Sequence, residues 1–89
     1  MRPALEAFAM SHTPHELAEE FPDAANLIQA MKGQNAHFAR LADAYHEINR
    51  AIHRYETDVE PVADEVLESA KKQRLALKDE IAGMLAAAR

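Results

Sequence analysis

The chain contains no cysteine. Disulfide staples and thiolate metal sites are excluded, and the composition fits a reducing compartment. Glycine is nearly as scarce, and its two copies, Gly33 and Gly83, stand alone and form no glycine-rich phosphate loop. Positive charge is in deficit: 10 Lys and Arg face 15 Asp and Glu, a formal charge of -5. A broad cationic footprint for nucleic acid is therefore missing, since phosphate binding needs clustered Lys and Arg. No apolar run approaches the roughly 18 residues of a membrane span, and Met1 to Met10 is too short, with Glu6 in its middle, for a secretory signal. These absences predict a cytoplasmic protein. No nucleophile sits beside a base, so we expect a non-enzymatic chain without cofactor or metal.

What is present is helix. The 48% hydrophobic content includes 19 alanines, which favour helix but bury little area. Eighty-nine residues give one small domain, marginal without extra packing. Phe38, Leu41, Tyr45, Ile48, Ile52, Tyr55 and Val59 follow one another at alternating steps of three and four, a coiled-coil seam on one helix. A second seam runs Leu67, Ala70, Arg74, Leu77, Ile81, Met84 and Ala88. The predicted fold is all-α: a long antiparallel helical hairpin, with helices over 35–56 and 61–87, preceded by a short helical arm over 13–32. Residues 1–12 read as a flexible N-terminal extension, and 13–89 as a single helical domain.

Local signals set the boundaries. Thr13 is placed to cap the arm, with Pro14 at the first helical position and Glu16 completing a capping box. Pro22 predicts a break, a second helical stretch spans about 23–32, and Gly33 ends it. Leu17, Phe21, Ala24, Ile28 and Met31 give the arm one apolar side. Asn35 caps the first hairpin helix. Arg54 near its end, and Asp64 and Glu65 near the start of the next helix, complement the helix dipoles. Matching seam to seam about a turn near Val59 pairs Phe38 with Ile81, Leu41 with Leu77, Ile48 with Ala70 and Ile52 with Leu67. It also pairs Tyr45 with Arg74, a polar layer suited to fixing register, with the tyrosine satisfying the guanidinium.

Several polar groups invite a functional reading. His46 and His53 are about 10 Å apart along a helix, too far to share an ion. Asp43, His46 and Glu47 share a face that points away from the seam and reads as solvated. Lys71, Arg74, Leu75 and Lys78 form a basic stripe that either meets an acidic partner or phosphate, or covers the seam with its methylene stems. Val66, Leu75 and Leu85 lie off the second seam and need covering by the arm, by a second hairpin or by another protein.

The segment from Ser11 through His15, Leu17, Glu20, Phe21 and Pro22, with HFARLADAYHEINRAIHR and KKQRLALKDEI further on, resembles the YdcH-like family of small bacterial proteins from Met10 onward. The resemblance implies a helical hairpin and a domain of unknown function, with no catalytic residue to carry over. Family members begin near Met10, which makes Met1 to Ala9 an extension or an alternative start. They also often place Ser or Thr where this chain has Ala63, leaving Asp58 or Glu60 to cap. The leading expectation is helix-mediated association, with a second copy as a dimer or with an acidic or apolar-grooved protein, through Tyr45, Lys71, Arg74, Leu75, Lys78 and Leu85. The alternative is an adaptor for anionic surfaces, nucleic acid or membrane, using Lys71, Lys72, Arg74 and Lys78.

Overall fold

The computed structural model describes residues 13–57 and 61–89. The expected extension at the N-terminus, the Val59 seam position and the capping by Asp58 or Glu60 lie outside these residues. The helices are α1 (Leu17–Glu20), α2 (Ala25–Gln34), α3 (Ala36–Glu56) and α4 (Asp64–Ala88), with a 3-10 turn, Pro22–Ala24, between α1 and α2. The break falls where Pro22 removes an amide donor, and Phe21 takes a non-helical conformation before it.

Three boundaries differ from expectation: the start of the arm, the end of α2, and the start of the last helix, expected at 61 and observed at Asp64. Thr13 caps nothing: Glu16 precedes α1 without a side-chain cap bond. The reason is tertiary. The carbonyls of Pro14 and His15 are taken by Asn49 and Tyr45 of α3, and His15 turns the chain toward them with a φ of 64°, a left-handed conformation costing a non-glycine residue about 1 kcal/mol. Gly33 does not end α2, which runs through it to Gln34. Asn35 ends it instead. Its extended backbone breaks the helix, its N–H donates to the Met31 carbonyl at 2.9 Å, and its side chain accepts from the Phe38 N–H at 3.0 Å to cap α3. The last helix opens at Asp64, after an uncapped Ala63, with Asp64 and Glu65 in its first turn.

α3 and α4 pack as an antiparallel hairpin: His37, early in α3, meets Glu80, late in α4, while Glu56 meets Lys71. Phe38, Ile52 and Ile81 are fully buried, each contributing about 1.5–3 kcal/mol by leaving water. The arm doubles back over one end of this hairpin, so that Leu17, Ala24 and Ile28 share a core with Phe38, Leu41, Ala42, Tyr45, Ile81 and Leu85. Consequently α3 carries two buried stripes, one toward α4 and one, through Ala42 and Asn49, toward the arm.

Of the three covers open to Leu85 the structure uses the arm: the residue is 2% exposed and belongs to the core, which corrects its reading as a partner-contact residue. Leu75 and Val66 do stay exposed, at 59% and 46%. Nine residues at about 100° each place them on opposite flanks of α4, so they form no continuous patch. Leu85→Ala should therefore cost about 2–5 kcal/mol in urea unfolding followed by helical circular dichroism. Leu75→Ala should stay within about 0.5 kcal/mol; equal costs would mean that the arm does not cover Leu85.

Candidate functional site

Lys71, Arg74, Leu75 and Lys78, at helical spacing of three, four and seven, share one flank of α4. The arm brings His15 and Glu20 opposite them, and α3 contributes Tyr45. Together these residues line a cleft of about 250 Å³. Five of the six residues singled out from the sequence thus meet at one place, and Leu85 lies beneath the arm instead.

The cleft is held by a residue that the periodicity did not reveal. Asn49 is 1% exposed. Its Nδ2 donates to the Pro14 carbonyl at 2.8 Å, and its Oδ1 accepts from an Arg74 guanidinium nitrogen at 2.8 Å. Arg74 is therefore satisfied by Asn49, not by Tyr45, and the proposed Tyr45–Arg74 layer is replaced by a bond one helical turn further along α3. Tyr45 donates its hydroxyl to the His15 carbonyl at 2.7 Å. The signal that would have found Asn49 is the stripe Phe38, Ala42, Tyr45, Asn49, Ile52, whose steps of four and three mark a second inward face.

Charge is paired across the cleft. Lys78 Nζ lies 2.5 Å from Glu20 Oε1 and sits over the Phe21 ring, 6.0 Å from its centroid. His15 Nδ1 is 3.1 Å from Glu20 Oε2. The hydrogen bond from Lys78 holds the Glu20 carboxyl below the usual range, opposed by partial burial and reinforced by the contact with His15 and by the Lys78 charge. Burial pushes the Tyr45 phenol up to about 12, helped by the negative charges of Glu20 and Glu16 and countered by Arg74. Lys71 pairs with Glu56 at 3.1 Å, both side chains being well exposed.

On the other side of the arm His46 is half-buried, not solvated as its polar face suggested, while Asp43 and Glu47 are exposed. Its Nδ1, cut off from solvent, lies 2.6 Å from Glu16 Oε1, at ion-pair distance but out of line for a hydrogen bond. A second cleft of about 230 Å³, lined by Leu17, Ile28 and Lys32 among others, opens beside it. No group of three potential metal ligands gathers among the described residues, and among them no helix is long and apolar enough to cross a membrane.

Two pH dependences follow. The raised Tyr45 value stabilises the protonated, folded form; that contribution is complete below the ordinary phenol value near 10 and is lost as pH rises to about 12. It amounts to at most about 3 kcal/mol. Tyr45→Phe should remove this alkaline loss while costing about 1 kcal/mol at neutral pH; an unchanged alkaline limb in pH-dependent urea midpoints would contradict the assignment. The lowered Glu20 value works in the opposite sense: its stabilisation is complete above the ordinary carboxylate range and is lost as pH falls below that range through the lowered value. Glu20→Gln should flatten the acid limb, whereas an undiminished acid loss would place the responsible carboxylate elsewhere.

Comparison with known proteins adds a family and no chemistry. Residues 38–85 match the family described as a protein of unknown function (DUF465). No curated protein and no solved structure matches the chain. The matched span runs from the first buried residue of α3, Phe38, to the last buried residue of α4, Leu85, nearly the whole hairpin, and leaves the arm outside. By this match over more than half its length, the chain belongs to the DUF465, or YdcH-like, family.

Proposed function

We propose that this is a non-enzymatic, cytoplasmic association module whose partner is a protein, engaged along the flank of α4 centred on Leu75. One observation carries the reading. Leu75 is a large apolar side chain, 59% exposed, set among cations whose positions are already fixed by other parts of the fold. Ordering costs at such a flank are low because Arg74 and Lys78 are held before any partner arrives. The charges favour an acidic partner with an apolar side chain for Leu75 to meet.

A different protein fits better than a second copy. The arm already covers the end of the hairpin that would otherwise have driven a four-helix bundle, and among the described residues the exposed large apolar ones, Val66 and Leu75, lie on opposite flanks. The adaptor for extended anionic surfaces has less support. Such surfaces need cations that face outward, whereas Lys71, Arg74 and Lys78 converge on the cleft and Lys71 and Lys78 already meet carboxylates.

Capture from the native cell tests this reading when two surface variants are compared. A protein retained by the wild type and by Val66→Glu, but lost with Leu75→Glu, is the expected result, with retention weakened by salt but persisting at physiological ionic strength. Equal retention by both variants, or retention that collapses with salt, would overturn it.

A further inference from the structure

The geometry points to a binding site for one oxyanion of the phosphate class, held in the cleft by Lys71, Arg74 and Lys78. This inference concerns the same flank of α4 as the protein-partner reading but does not rest on it: the titration below contains no protein partner, so either can fail without the other.

The three cations stand on one flank of α4 and face the walls supplied by His15 and Tyr45. Arg74 is the anchor. One of its nitrogens donates to Asn49, itself buried and tied to the Pro14 carbonyl, so the plane of the guanidinium is set by a rigid neighbour. The group carries five N–H bonds in a fixed fork, and its geometry suits oxyanions.

The cleft already accommodates one oxyanion from the chain itself. The Glu20 carboxylate reaches in from the arm, with one oxygen at Lys78 and the other at His15. Among the residues lining the cleft, three permanent cations face this single carboxylate. With Lys71 paired to Glu56 the excess is a single positive charge, and it becomes two when Lys71 turns from Glu56 into the cleft; that matches a phosphate or phosphate ester, which carries a charge of about -1.5 to -2 near neutral pH. Lys71 is the most exchangeable contributor: its pair with Glu56 is exposed on both sides, and such pairs are weak.

Size and surroundings agree. The cleft is open to solvent on one side and, at about 250 Å³, has room for a tetrahedral group beside the Glu20 carboxylate. Leu75 at the margin gives the organic part of an ester an apolar surface to lie against.

The test is a titration of the full-length, isotopically labelled chain with sodium phosphate at neutral pH, with total ionic strength held constant by sodium chloride. Amide and arginine side-chain resonances are followed by NMR. Saturating shifts confined to 15–20, Tyr45 and 71–78 are expected, with acetate at least about fivefold weaker because it carries a single charge. Lys71→Gln should weaken phosphate binding about fivefold, the scale of one screened ion pair, while the exposed Lys72→Gln leaves it unchanged. Phosphoserine separates the sources: tighter binding than inorganic phosphate assigns the site to an ester, and equal or weaker binding assigns it to the free ion. Shifts that never saturate, that acetate matches, or that Lys71→Gln and Lys72→Gln alter equally would overturn the site.

Discussion

Everything distinctive about this fold passes through the side-chain amide of Asn49. A buried amide is costly unless its donor and acceptor are both used. Here the donor holds the segment leading into the arm, through the Pro14 carbonyl, and the acceptor holds α4, through Arg74. One residue of α3 thus ties the arm to the hairpin. Tyr45, one turn earlier, repeats the device on the His15 carbonyl. The two bonds together explain why His15 adopts a left-handed backbone: consecutive carbonyls must both turn toward α3.

With the arm held there, the rest of the architecture follows. A two-helix hairpin of this length has too little apolar area to be comfortable by itself. Leu17, Ala24 and Ile28 add a third layer over Phe38, Ile81 and Leu85 and make one core of what would otherwise be an open seam. The arm also creates the cleft. Without it, Lys71, Arg74 and Lys78 would be an ordinary solvated stripe; with it, they face Glu20 and His15 across a defined space.

Periodicity made the hairpin legible because the α3 seam obeys it: Phe38, Leu41, Tyr45 and Ile52 are all buried. Proline and asparagine chemistry located the break at Pro22 and the cap at Asn35. The arm's interactions were harder to read for a common reason. Asn49 was hidden because apolar periodicity assigns polar residues outward, so a polar residue on an inward stripe shows only through the apolar residues that flank it at steps of three and four. Leu85 looked surplus because the second seam was continued by a step of three to Met84. The arm instead takes Leu85, a step of four from Ile81, and leaves Met84 half-buried at the edge of the core. The capping box at Thr13 failed because α3 took the backbone groups that would have entered the helix. Local signals were sufficient where a segment meets one neighbour and insufficient where it meets two.

The most direct test of the Asn49 tie is native-state hydrogen exchange in an Asn49→Ala variant. The amides of Glu20 and Phe21, bonded within α1, should lose protection by about 30-fold, the equivalent of roughly 2 kcal/mol for a buried polar group stripped of its partner. Amides in the half of the hairpin beyond the arm, around Ile52 and Ala70, should lose much less. Protection lost uniformly along the chain, or an arm as protected as before, would contradict the claim that this one amide holds the arm in place.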